Sequence, residues 1–239
     1  MWKVHFIMNG KGGVGKSTVG AFIANYLRHA GQPFVVIDAD PLNATLAGYK
    51  AFAARRIEMM KDNLLDEAQF DRAAEMFLTE EAHFIVDTGA SAFIPVSNYL
   101  IENEVHAQIR ACGRQAVVHA IIVGGGTLVE TLGDLDRLAT QLDPEVEIVV
   151  WLNEHFGKIE DGGKSFEQMK VYEKHRERIY GLVHIPRQTQ STFGEDVRRM
   201  ITLRLTFDEA IASPEFFLMS KHRLHVTARA LYKQMALVI

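Results

Sequence analysis

The chain has 239 residues, 48% of them hydrophobic, enough for a substantial core in one large α/β domain or two smaller ones. Its formal net charge of −4 supplies no global attraction for nucleic acid, so any such contact must come from a local patch. The single cysteine, Cys112, excludes an intramolecular disulfide or a multi-cysteine cluster, and nothing reads as a signal peptide or membrane span, so a cytoplasmic setting is expected.

Strand and helix signals alternate along the chain, which predicts a mostly parallel, twisted sheet sandwiched between helices. Val4–Met8 reads as the first strand. A helix follows over Lys16–Ala30, with Phe22, Ile23, Tyr26 and Leu27 on its apolar side and Gly31-Gln32-Pro33 ending it. Phe34–Ile37 is a short buried strand. Residues 49–80 are mixed, with a helix near Asp66–Leu78. His83–Val86 is the next strand, helical signals fill Ser97–Ala111, and Val117–Val123 is a strand closed by Gly124-Gly125-Gly126. A helix over Leu128–Leu142 and a strand over Val146–Leu152 come next. Ser165 opens a further helix, with Gln168 placed for a capping box. Leu182–Ile185 is the last strand and the remainder is helical. No repeat or linker interrupts the pattern, so residues 1–239 are expected to form one domain.

Between the first strand and helix lies Asn9-Gly10-Lys11-Gly12-Gly13-Val14-Gly15-Lys16-Ser17-Thr18, which fits G-x-x-x-x-G-K-[ST]. Glycines let the backbone fold around an anion, and the helix N-terminus presents unpaired N–H groups to it. Lys16 places a point charge at the β- and γ-phosphates, and the Ser17 hydroxyl can reach Mg²⁺. Gly10, Gly12 and Gly15 also satisfy the G-x-G-x-x-G of a dinucleotide fold, with Asp38 and Asp40 near the distance such a fold uses. Lys16-Ser17-Thr18 decides between them: a dinucleotide loop has no need of a lysine and two hydroxyls at the helix start, whereas a triphosphate–Mg²⁺ site does.

Two strand ends supply carboxylates, Val36-Ile37-Asp38-Ala39-Asp40-Pro41 and Phe84-Ile85-Val86-Asp87-Thr88-Gly89. Apolar residues ending in aspartate match a Walker B arrangement, in which the carboxylate orders Mg²⁺ through water. Aspartate is common in turns, so the pattern gains weight only beside the phosphate loop. Asp40, followed by a rigid proline, is the candidate to orient an attacking water.

Together, Lys11 to Thr18 and Asp38-Ala39-Asp40-Pro41 resemble the deviant Walker A superfamily of ParA, MinD and their relatives. The resemblance implies an ATPase working as a nucleotide-sandwich homodimer. In it the lysine matching Lys11 reaches the partner's phosphates, the aspartate matching Asp40 supports hydrolysis, and those matching Asp38 and Asp87 serve the Mg²⁺ region. Trp151-Leu152-Asn153 resembles the strand end that supplies an adenine-contacting asparagine. Ile185-Pro186-Arg187 resembles the segment lying over the base and ribose. The implied nucleotide contacts are therefore Gly10, Lys11, Gly12, Gly13, Val14, Gly15, Lys16, Ser17, Thr18, Asn153, Pro186 and Arg187.

More specific blocks resemble the TraL-type family of ParA-like ATPases from plasmid conjugal transfer: Asp40 to Ala51, Asp87-Thr88-Gly89-Ala90-Ser91, Leu100-Ile101-Glu102-Asn103, Lys164 to Tyr172, and Leu205 to Ala210. A conjugation or mobilisation protein is the partner this implies. Two departures from ParA limit the transfer of roles. Leu42 stands where ParA proteins carry glutamine, which argues against a direct ParA-like switch around the water. Gly89-Ala90 replaces a double proline, which suggests a more flexible loop with the Gly89 N–H offered to the γ-phosphate.

Other features have bland explanations. Gly162-Gly163-Lys164-Ser165 imitates a second phosphate loop, but the motif needs glycine where Lys158 stands. His222 and His225 lack further ligands for a metal. Asn153-Glu154-His155-Phe156 lacks the aspartate of guanine recognition, so ATP is favoured over GTP. On the last helix, Leu224, Ala228, Leu231 and Met235 form an apolar stripe, while His222, His225, Arg229 and Lys233 fall on another face. With Arg187, Arg198, Arg199 and Arg204 these could hold DNA phosphates non-specifically, as in ParA-like proteins, although a surface helix closing the domain is the simpler reading. No long basic amphipathic tail of the MinD kind is present, so no membrane association is expected. A DNA-partition ATPase and a ligase of the dethiobiotin-synthetase type remain alternatives. One cysteine per chain argues against electron transfer of the nitrogenase-iron-protein type.

Overall fold

The structure, a computed structural model, describes residues 1–40, 43–62, 64–187 and 193–239. Runs of apolar residues with no polar alternation make strands that must be covered on both faces, and such strands pair in parallel. Those forming the central sheet are β1 (Lys3–Ile7), β2 (Phe34–Asp38), β3 (Arg55–Arg56), β6 (His83–Asp87), β7 (Gln115–Val123), β8 (Glu147–Asn153) and β11 (Ile179–Ile185). They lie in the order β11-β8-β7-β1-β6-β2-β3, and every pairing is parallel. β1 is central, with β6 on one side and β7 on the other. The loops leaving its neighbours diverge from that point, which is where open α/β sheets hold ligands.

The two faces carry separate cores. Phe6, Phe84, Val118, Ile122 and Val150 face one layer, made by α2 (Glu67–Thr79), α3 (Phe93–Glu102), α4 (Val105–Ala111) and α5 (Leu128–Gln141). Ile7, Ile85, Val117, Ile121 and Trp151 face the other, made by α1 (Lys16–His29), α7 (Phe193–Thr202), α8 (Phe207–Ala212) and α9 (Leu218–Met235). Leu224, Ala228, Leu231 and Met235 of α9 are all in this second core, so the stripe read from sequence closes the domain.

Several elements differ from the sequence expectation. The helical stretch 97–111 starts earlier and breaks into α3 and α4 at Glu104, whose backbone is left-handed at φ 47°. Ser165 does open a capped turn, its N–H donating to Gln168 Oε1 at 3.0 Å, but this is a single 3₁₀ turn before the short α6 (Lys170–His175). Gly162 and Gly163, both at positive φ (55° and 78°), form the turn of a hairpin between β9 (Glu160–Asp161) and β10 (Lys164–Ser165). Two successive left-handed residues are what a tight hairpin turn demands. A second small hairpin, β4 (Met60–Lys61) with β5 (Leu64–Leu65), falls within the stretch read only as mixed. Pro41 and Leu42 lie outside the described residues.

A buried line of side chains crosses the second face. The Trp151 indole can only donate, and its Nε1–H meets His119 Nδ1 at 2.9 Å. The His119 proton therefore sits on Nε2, which donates to His5 Nδ1 at 3.0 Å. That leaves the His5 proton on Nε2, without a partner, while the His5 ring stacks on His83 with centroids 5.7 Å apart. The line works only with neutral rings. Burial pushes His5 well below 6.5, His83 down to about 4 and His119 down to about 3.

The unfolded chain protonates these rings below about 6.5 while the native rings stay neutral, so their contribution is present above that pH and is lost as pH falls toward 4. Each ring adds a slope of about 1.4 kcal/mol per pH unit in that window. The urea midpoint is thus expected to fall as pH is lowered from 7 to 4.5, and to fall less steeply in a His119→Gln variant. Equal slopes for the two proteins would contradict the assignment of a neutral, buried His119.

Candidate functional site

The phosphate-loop segment leaves β1 at the centre of the carboxyl edge, and its ends are fixed by side chains from the neighbouring elements. Asn9 is fully buried and extends the β1–β7 ladder: its Nδ2 donates to Ile121 O at 3.0 Å and its Oδ1 accepts the Ile121 N–H at 2.8 Å. Asp134, on α5, accepts the Gly10 N–H at 2.8 Å and Asn9 Nδ2 at 3.3 Å. Gly15 is the N-cap of α1 at φ 102°, a conformation that disfavours any side chain. No side chain caps this helix start, and its first turn has no acidic residue, so its N–H groups and the positive end of its dipole face outward for an anion.

The two lysines are placed differently. Lys16 is buried, and its ammonium donates to Lys11 O at 3.0 Å across the loop. Burial lowers its pKa, against the pull of Asp87, Asp40 and Asp134. Lys11 points outward instead, and its ammonium pairs with Glu130 of α5 at 2.9 Å, both side chains being about half exposed (40% and 52%). Ser17 and Thr18 follow in the first turn of α1, each half-buried.

Register sets the carboxylates beside the loop. Asp87 pairs with Ile7 of β1 on one side and with Asp38 of β2 on the other. Thr88 ties this edge to β1 through its hydroxyl, which donates to Ile7 O at 2.9 Å. Asp38 is fully buried and accepts the Ala47 N–H at 2.8 Å, with burial raising its pKa. Asp40 is partly exposed and accepts the Asn43 N–H at 3.1 Å. Asp87 is only 1% exposed, and among the described residues neither carboxylate oxygen has a hydrogen-bond partner of normal geometry. Burial pushes its pKa up to about 7, and Asp38 and Asp40 add to the shift, while the nearby Ser17 hydroxyl and Lys16 oppose it. An unpartnered buried carboxylate with a serine hydroxyl at hand fits a hard divalent cation.

On the far side of the loop, Asn153 ends β8 and is 5% exposed. Its Nδ2 donates to Val14 O at 3.0 Å and its Oδ1 accepts the His155 N–H at 3.1 Å. Pro186 and Arg187, both exposed, follow β11, and the Arg187 N–H lies 3.5 Å from Glu154 Oε2. The fold thus brings the P-loop, Asp38, Asp40, Asp87 and Asn153 to one edge. Sequence reasoning missed Asn9, Glu130 and Asp134. The two acids one turn apart on the predicted helix over 128–142 were the available signal, but nothing local linked them to residues 120 positions upstream. Of the arginines considered for DNA, Arg198 pairs with Glu195 and Arg199 with Glu215, which offsets their charge. Among the described residues no helix is long and apolar enough to cross a membrane.

A parallel sheet with this phosphate loop at its carboxyl edge defines a P-loop nucleotide-binding domain. The family model for the CobQ/CobB/MinD/ParA nucleotide binding domain matches residues 5–236, and the chain belongs to that family. Within it, the chain is TraL-like: it is 40% identical over 235 residues to one protein TraL of Escherichia coli and 41% identical over 235 residues to another, with 98% of each chain covered in both comparisons. Its fold is similar to that of the MinD cell division protein of Aquifex aeolicus, with a TM-score of 0.52, 18% identity and 97% of each chain covered.

Asp87→Asn tests the electrostatics without nucleotide. A carboxylate whose pKa is raised by folding contributes stability below its unfolded value near 3.8, and loses it as pH rises through about 7. In EDTA at pH 8 the variant is expected to be more stable than the parent by about 1–3 kcal/mol, the gain shrinking toward pH 5. Equal or lower stability at pH 8 would mean that the charge at Asp87 is compensated by a group other than a bound cation.

Proposed function

We propose that this protein is an ATP-binding, slowly ATP-hydrolysing switch that closes into a homodimer around its nucleotides and serves plasmid conjugal transfer as an accessory ATPase. The placement of the two lysines carries this reading. Lys16 is spent inside the loop, whereas Lys11 stands outside it, held among the described residues by an exposed ion pair of the kind worth about 1 kcal/mol or less. Such a lysine can leave Glu130 for a partner's phosphates at little cost. Large apolar side chains are exposed beside residues that touch the loop: Ile94 (48%), Val129 (81%) and Phe156 (56%) suit a face covered in the dimer. The conjugal setting rests on the TraL likeness.

In this mechanism the Gly10 N–H stays on Asp134, the backbone N–H groups from Lys11 to Thr18 cradle the triphosphate, and Lys16 neutralises its β- and γ-oxygens. Ser17, Asp38 and Asp87 would hold Mg²⁺, the aspartates through water, and the ion supplies charge stabilisation at the transferring phosphoryl group. Asn153, Pro186 and Arg187 bound the space for the base and ribose. On closure, each Lys11 completes the partner's site and offsets charge developing during phosphoryl transfer, as an arginine finger does. Asp40 orients the water that attacks the γ-phosphate. Loss of the phosphate frees the segments after β2 and β6, and the dimer loosens. The acidic partners of Arg198 and Arg199 favour this reading over a DNA-holding surface.

Lys16→Ala is expected to lose nucleotide binding by calorimetry, and normal ATP affinity would refute the loop's role. Asp40→Ala is expected to bind ATP normally while phosphate release falls at least tenfold and the closed dimer accumulates. Unimpaired turnover in that variant would remove Asp40 from the reaction.

A further inference from the structure

A cavity of about 300 Å³ lies under the layer of α2 to α5, toward the amino ends of β7 and β8. Pairing of β1 with β7 sets its floor, placing Phe6 opposite Val118 and Val4 opposite Ala116. Phe6 and Val118 line it as deeply buried apolar groups, and the single methyl of Ala116 leaves the space beside them open. The outer wall comes from the turn between α3 and α4, where Glu104 and His106 stand, and from Asp143 just after α5. This wall is acidic. Among the described residues no lysine or arginine lines the cavity. Asp143 Oδ2 lies 3.4 Å from His106 Nε2, whereas Glu104 makes no ion pair among the described residues. Two arginines of the same corner are committed elsewhere, Arg110 to Glu145 and Arg178 to the carbonyls of Leu142, Asp143 and Pro144. The Arg178 bonds hold the loop after α5 in place, so the chamber is preformed.

An occupant must bring apolar surface to the floor and positive charge to the outer wall. An anion would meet two carboxylates there with no lysine or arginine to answer it. A cavity of roughly 150 Å³ holds a benzene ring, so this one has room for a bicyclic ring with a short chain. We infer that the cavity is a binding site for a small aromatic amine, its ring packed against Phe6 and Val118 and its ammonium beside Glu104 and Asp143. Among the described residues it shares none with the proposed nucleotide site, so it stands independently of that reading.

Calorimetric titration of the whole protein with tryptamine and with indole-3-propionate tests this, because the two share a ring and carry opposite charges. Tryptamine is expected to bind with one molecule per chain and about tenfold more tightly than the acid. Glu104→Gln, at an exposed position, keeps the size of the side chain and is expected to cut that preference about threefold. Ala116→Leu fills the floor and is expected to abolish tryptamine binding, with circular dichroism confirming its fold. Should that core change unfold the chain, the preference in Glu104→Gln decides alone. No tryptamine binding, equal affinity for the two ligands, or a preference unchanged in Glu104→Gln would overturn the assignment. Tryptamine binding retained by a folded Ala116→Leu variant would overturn it as well.

Discussion

Parallel pairing of β1 with β6, and of β6 with β2, is the constraint on which the site depends. That register sets Asp87 beside Ile7, immediately before the loop, and sets Asp38 beside Asp87. A slip of one residue would turn every side chain of a strand to the other face. Such a slip is prevented by the two cores, since Phe6 and Ile7, or Phe84 and Ile85, must each meet a different helical layer. Packing on both faces therefore determines where the carboxylates stand, and the carboxylates determine what the loop can hold.

The resulting edge is electrostatically unfinished. Lys16, Asp38 and Asp87 are buried within one small region, and among the described residues neither Asp87 oxygen has a hydrogen-bond partner of normal geometry. Burying such groups costs several kcal/mol unless each finds a compensating partner. A triphosphate with a divalent cation, as proposed for this site, would bring negative charge to Lys16 and the helix start, and positive charge to the aspartates. Glu130 and Asp134 add a connection from α5: one turn apart, they hold the outward lysine and the loop's first N–H.

The sequence made some of this legible and hid the rest, for definite reasons. The loop, Asp38, Asp40 and Asp87 could be found because each is signalled locally, by glycine spacing or by an apolar run ending in aspartate. The contacts that position the loop could not. Asn153 lies 139 residues from Val14, and Asp134 lies 124 residues from Gly10. Gly162-Gly163 looked like part of a phosphate loop because both structures need permissive glycines, and the distinction lies in the hairpin they close. The break between α3 and α4 depends on one left-handed residue, Glu104, a type that gives no warning of it. His5 and His119 sit within apolar strands and give no periodic signal that they form a buried hydrogen-bonded line with Trp151.

Lys11 is proposed to convert nucleotide binding into association of two copies. Light scattering of the whole protein with ADP, and with a non-hydrolysable ATP analogue plus Mg²⁺, addresses it directly. The mass is expected to double between ADP and the analogue, and Lys11→Ala is expected to keep its nucleotide affinity but show no change in mass. An unchanged mass in the parent chain, or doubling that survives Lys11→Ala, would contradict it.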